Sequence, residues 1–202
     1  QARWIRNGSL TPAGSPGNPV IFPDVADATA GGKTHSIGTS IPPRGGWAGL
    51  VFDSGSSGNL LEYSEIRYPG RDGYPGILAD GSEVTVINCL IADSGANGIT
   101  ARNAAVLSIT NCLLINSLGS GIRAETGATV TAINNTIDGD GHSTLNTGVS
   151  IAAATVNLTN NLITNNRFAG ISGSNSSTLT ASNNGLFNPD AGKGDYHEIE
   201  DQ

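Results

Sequence analysis

Apolar and polar positions alternate along this chain in short runs that recur: Val84-x-Val86, Leu107-x-Ile109, Val130-x-Ala132, Val156-x-Leu158 and Leu179-x-Ala181. Each run leads to an asparagine, Asn88, Asn111, Asn134, Asn160 or Asn183, and then to one more apolar residue, Ile91, Leu114, Ile137, Ile163 or Leu186. The asparagines lie 23, 23, 26 and 23 residues apart. A glycine-aliphatic pair (Gly76-Ile77, Gly98-Ile99, Gly121-Ile122, Gly148-Val149, Gly170-Ile171) precedes each by 12 or 13 residues. Period-two runs of this length, rich in β-branched residues and bounded by Gly, Asn, Asp and Ser, predict short strands, and no window carries a helical period.

A unit of about 22 residues with three short strands cannot bury its apolar side chains alone, whereas coils stacked about 4.8 Å apart share one interior. The repeat therefore predicts a solenoid. A leucine-rich repeat has a similar length but a different pattern and a helical half that is lacking here. The recurring asparagine suits a tight corner, since its amide supplies donors and an acceptor and its backbone tolerates left-handed angles. Asn88, Asn111, Asn134, Asn160 and Asn183 are thus expected to form a structural ladder of stacked amides.

The pattern resembles the right-handed parallel β-helix repeat proteins of the pectate-lyase-like superfamily over roughly residues 14–190. The stretches "GNPVIF", "GGWAGLVF" and "LEYSEIRYPG" are similar to the opening coil of large secreted bacterial members. The resemblance implies an all-β fold, a right-handed parallel β-helix (single-stranded β-solenoid) of about six coils. Residues 1–46 would be an irregular N-terminal cap and insert, 47–190 the coils and 191–202 a C-terminal tail. It implies an extracellular or cell-surface location, but not an activity, because the superfamily spans lyases, hydrolases, epimerases, adhesins and structural modules. Two features depart from it. The insert offers Asp24 and Asp27, with Lys33 and His35 nearby, in place of an acidic calcium-like loop, and "GDYHEIEDQ" resembles the beginning of a longer C-terminal segment, so a truncated module is expected.

Composition narrows the partners. Of 202 residues 37% are hydrophobic and 13% charged, and Lys plus Arg (10) against Asp plus Glu (17) leave a net charge of −7. With no basic run, nucleic acid is not an expected partner. No stretch approaches the roughly 18 apolar residues of a bilayer span, so membrane insertion is not expected either.

Few residues suggest chemistry. Asp80, Arg102 and Glu125 share a column and read as a surface ion-pair ladder. The column of Asp93, Asn116, Gly139, Asn165 and Asn188 holds one carboxylate, whereas glycoside hydrolysis needs two within roughly 5–10 Å. Asp138, Asp140 and His142 in the longest coil begin like a hard-cation loop but lack its later ligands, so no metal and no cofactor are expected. Cys89 and Cys112 occupy equivalent positions on adjacent coils, where both a disulfide and a pair of buried thiols are open. Five of the ten aromatic residues fall within 47–74. Alternation turns Phe52 and Tyr63 inward, and leaves Arg67, Tyr68, Arg71, Asp72 and Tyr74 as a candidate ligand-binding patch, with capping of the solenoid end by Trp47 and its neighbours as the competing role. The expected function is a non-catalytic structural or adhesive module, with polysaccharide as the candidate partner and end-to-end self-association as a corollary. The alternatives are a polysaccharide lyase or hydrolase using Glu65, Asp72 or Asp93 with Arg67 or Arg71, and a carbohydrate-binding module.

Overall fold

The computed structural model describes residues 4–6, 8–30, 42–139, 143–144, 146–174, 176–189, 192 and 194–197. The chain winds through three parallel sheets. Sheet A collects Leu50–Phe52, Ile77–Asp80, Ile99–Arg102, Ser120–Glu125, Thr147–Ala152 and Ala169–Gly173, with Trp4–Arg6 at one edge and Tyr196–His197 at the other. Sheet B runs from Asn59–Glu62 through Glu83–Ile87, Val106–Thr110, Thr129–Ile133 and Thr155–Thr159 to Thr178–Ser182. Sheet C starts at Val20–Phe22 and continues through Ser64–Arg67, Leu90–Ala92, Leu113–Ile115, Thr136–Asp138 and Leu162–Thr164 to Gly185–Phe187. Six coils carry all three strands among the described residues, as the repeat predicts. The segment expected as an irregular cap contains a coil of its own: Trp4–Arg6 pairs with Leu50–Phe52 and Val20–Phe22 with Ser64–Ile66, and Phe22 packs on the core. Of the insert and tail, 31–41 and 198–202 lie outside the described residues, as do Lys33, His35, Asp140 and His142.

Equal repeats place like on like. Val84, Leu107, Val130, Val156 and Leu179 are successive partners in sheet B, and Ile91, Leu114, Ile137, Ile163 and Leu186 in sheet C. Most are at most 1% exposed, the exceptions being Leu179 and Leu186 of the last coil, which are only half-buried. A fully buried Ile or Leu contributes about 1.5–3 kcal/mol, and here each stacks on another aliphatic side chain of the next coil. The coil-start glycines have a different cause. A Cβ on Gly98 would stand 2.7 Å from the carbonyl oxygen of Gly121, and one on Gly148 2.5 Å from that of Gly170. Successive backbones approach too closely there for any side chain.

The corner between sheets B and C corrects the predicted ladder by one residue. Asn88, Asn111, Asn134, Asn160 and Asn183 do stack in register, all left-handed with φ between 53° and 56°. A left-handed residue turns its side chain outward, however, and delivers the next one inward. The amide ladder therefore runs through the following position: the Asn135 N–H donates to Asn161 Oδ1 at 2.9 Å and the Asn161 N–H to Asn184 Oδ1 at 2.8 Å. The Asn135 and Asn161 Nδ2 groups donate to the same oxygens at 3.0 Å and also to the carbonyls of Ile109 and Ala132 in the preceding coil. Cys89 and Cys112 continue this column as free, buried thiols. The Cys89 N–H points to Cys112 Sγ at 3.4 Å, and Cys112 Sγ reaches the Val86 carbonyl at 3.6 Å.

Candidate functional site

The patch expected at residues 67–74 is built on a second left-handed corner, where sheet C passes to sheet A. Tyr68 (φ 56°) holds the position taken by Asp93 and Asn116 in the next coils, and its N–H donates to the Ala92 carbonyl at 3.0 Å. Arg67 is spent on the protein itself. Its Nε donates to Glu65 Oε2 at 2.7 Å and its Nη2 reaches the same oxygen, while Nη1 bonds Thr29 Oγ1 at 3.0 Å and lies 3.5 Å from Asp27 Oδ2. Trp47 Nε1 donates to the Arg67 carbonyl at 2.8 Å, which makes the buried indole a structural clamp. Burial alone would push the Asp27 carboxyl up, but the Thr29 hydroxyl and amide and the Arg67 guanidinium outweigh it and hold it below the usual range. Asp24 and Asp27 cap turns of the insert by accepting from the Ala26 and Thr29 N–H groups. The Tyr68 phenol is pushed up by burial, then by the Asp93 and Asp27 carboxylates.

Arg71–Gly73 form a single 3-10 turn, in which exposed Asp72 is left-handed at φ 58°. The Arg71 N–H donates to the Trp47 carbonyl at 2.9 Å. Tyr74 closes this turn, its N–H donating to the Arg71 carbonyl at 3.2 Å, and leads into the sheet A strand Ile77–Asp80. Of the five predicted residues, Arg67 and Tyr68 thus stand at the C-to-A corner, and Arg71, Asp72 and Tyr74 on the turn that follows it. On sheet A the expected ladder resolves into two pairs, Arg102 Nη2 with Asp80 Oδ2 at 2.8 Å between coils and Arg123 Nε with Glu125 Oε2 at 2.7 Å within one strand. The Arg102 guanidinium, with help from the Asn103 amide, holds the Asp80 carboxyl below its ordinary range against the effect of burial. Asp138 accepts from Thr164 Oγ1 at 2.7 Å and from Asn165 Nδ2 at 2.6 Å.

The family model described as a right-handed beta helix region matches residues 40–186. The chain belongs to the right-handed β-helix family. Among solved structures this β-helix is similar to a point mutant of the periplasmic alginate epimerase AlgG, at 13% identity and a TM-score of 0.42, over 77% of this chain and 47% of that one. It is also similar to the A-module of the mannuronan C-5 epimerase AlgE4 of Azotobacter vinelandii, at 12% identity and a TM-score of 0.26, over 74% of this chain and 68% of that one. The β-helix thus spans about half the length of the first. Both are likenesses of fold only. No curated protein matches it.

Sequence reasoning missed a groove of about 590 Å³ that runs across the coils of this β-helix beside the B-to-C corner. One side is the outward corner column, Tyr63, Asn88, Asn111 and Asn134. Leu90, Leu113 and Thr136, neighbours in sheet C, form the other, and Pro16 and Pro19 of the first coil close one end. Tyr63, expected inward, belongs to this surface because it is a left-handed corner residue (φ 45°). The register of Tyr63 with the asparagines was the available signal.

Proposed function

We propose that this β-helix is a non-catalytic extracellular module, structural or adhesive, that contacts glycans. The observation that carries the reading is the pairing of four carboxylates with arginines: Glu65 and Asp27 with Arg67, Asp80 with Arg102 and Glu125 with Arg123. A general acid for glycoside cleavage must hold its proton near neutrality, which calls for a carboxyl pushed up, and Asp27 and Asp80 are pushed down. Incubation with a panel of neutral and uronic polysaccharides tests this, with retention and no new unsaturated or reducing ends as the expected result. Turnover abolished by Asp72→Ala or Asp93→Ala would replace the reading with a lyase or hydrolase.

End-to-end association of copies is favoured by a separate observation. Among the described residues, Thr178–Ser182 and Gly185–Phe187 are the last strands of sheets B and C, and around them Ala181 is exposed and Leu179 and Leu186 only half-buried. Such an edge over an apolar interior invites another coil. Sedimentation should show concentration-dependent growth that Leu186→Lys suppresses; a strict monomer at high concentration would end this part of the proposal.

A further inference from the structure

We propose that the groove beside the B-to-C corner binds a linear neutral glycan laid along the solenoid axis, an inference that rests on glycan contact as the proposed function. The first support is the row of carboxamides. Asn88, Asn111 and Asn134 line the groove, and their side-chain amides make no hydrogen bond among the described residues. Each offers two donors and an acceptor, the combination that a vicinal pair of hydroxyls can satisfy. Their backbones are fixed, since each corner N–H donates to the coil above, at 3.0 Å to Thr110, 3.1 Å to Ile133 and 3.0 Å to Thr159. The row is therefore held in register at its backbone, and from Tyr63 to Asn134 it extends over three coil spacings, about 14 Å, the reach of a short oligosaccharide with about one ring per coil.

The remaining lining selects among ligand classes. Leu90, Leu113, Pro16, Pro19 and the Tyr63 ring face the amides with apolar surface, which matches the C–H faces of pyranose rings. The one charged lining residue, Glu65, is already paired with Arg67, so nothing in the groove recognises an anion. The net charge of −7 further disfavours polyanions. A peptide strand has no purchase either: the sheet C strands flooring the groove are paired on both sides, which leaves no open edge for strand addition. A neutral polyhydroxylated chain satisfies all of these conditions. The groove follows sheet C and its corner, away from the outer face of sheet A that carries the Asp80–Arg102 pair.

The test is calorimetric titration of the full chain with cellohexaose, a linear β-mannohexaose and a hexauronate. A neutral hexasaccharide should bind, and Asn88→Gly, Asn111→Gly and Asn134→Gly combined should weaken it at least tenfold. Glycine keeps the left-handed backbone while deleting the amides. Leu113→Glu, at an outward strand position 40% exposed, should weaken binding to a similar extent and serves if the triple variant does not fold. Neutral-sugar binding that survives both changes but is lost in Tyr68→Ala/Tyr74→Ala overturns the groove while sparing glycan contact. Tighter binding of the hexauronate overturns the neutral assignment. Failure of all three sugars to bind removes the inference together with the reading beneath it.

Discussion

Replacing Cys112 by asparagine should stabilise the protein. In the ladder below it, Asn135 hands its N–H to Asn161 Oδ1 at 2.9 Å, shares Nδ2 with the same oxygen at 3.0 Å and reaches back to Ile109 O at 3.0 Å. Cys112 is asked for the same bonds with a thiol, and meets the Cys89 N–H at 3.4 Å and Val86 O at 3.6 Å. Sulfur is a weak donor and a weak acceptor. An asparagine in this registered slot would strengthen both contacts and add a third, from its Nδ2 to Asn135 Oδ1, which already accepts the Cys112 N–H at 2.8 Å. With about 0.5–1.5 kcal/mol per net hydrogen bond, and an offset for burying a larger polar group, the gain is about 1–2 kcal/mol. For a chain of this size that raises the thermal midpoint by about 2–8 °C. The assay is thermal unfolding under reducing conditions, with amide exchange at the Cys89 N–H as the local readout. Asn161→Cys is the reciprocal control and should lose a similar amount. The Cys112 thiol, hydrogen-bonded with the Cys89 thiol and buried, is pushed well above its ordinary range. A Cys112→Asn midpoint below wild type, or an unaffected Asn161→Cys, would refute this account of the column.

Gly148→Ala should destabilise the protein by about 1–3 kcal/mol, because the new methyl meets Ile163 Cγ2 at 2.4 Å and backbone at 2.5 Å; a wild-type midpoint in chemical denaturation would contradict the close approach. Asp80 has a depressed folded-state pKa, so its contribution is present above its unfolded pKa, about 4, and is lost as pH falls through the lower folded value. Arg102→Gln should therefore cost about 0.2–1 kcal/mol at pH 7, the pair being partly exposed, and progressively less as the pH falls through the acid range, as read from midpoints across pH. Trp47→Phe leaves the Arg67 carbonyl without its 2.8 Å donor and should lower stability by about 1–2 kcal/mol in the same assay.

The fold was legible because one kind of pairing dominates it. When Val84, Leu107 and Val130 recur at equal spacing, parallel stacking is the arrangement that lets each bury against the next, and register follows from the repeat. Legibility failed where a single φ decides which way a side chain points. Asn88 and Cys89 are adjacent in the sequence, yet the left-handed angle at Asn88 assigns the first to solvent and the second to the interior. Tyr63 was misplaced for the same reason, since strict alternation does not hold through a corner. The partners of Arg67 were not legible either, because Asp27 and Thr29 come from an insert with no repeat to position it.

The same corner separates stability from recognition. The outward residue gives its backbone to the coil stack and leaves its side chain unassigned, while the residue after it gives both to the ladder. Side chains at 88, 111 and 134 can therefore change, as the tyrosine at 63 illustrates, without breaking an interior bond. Substitutions at 135 and 161 cannot, because each amide there joins two coils. The two columns should behave oppositely in paired measurements. Asn111→Gly should leave the thermal midpoint within about 1 °C, its cost being a few tenths of a kcal/mol at a left-handed site, while weakening any ligand held in the groove. Asn135→Gly should lower the midpoint by about 5 °C or more, because it deletes three bonds, one of which leaves the Cys112 N–H orphaned. Equal midpoint losses at 111 and 135 would mean that both columns are structural and that the outward amides have interior partners.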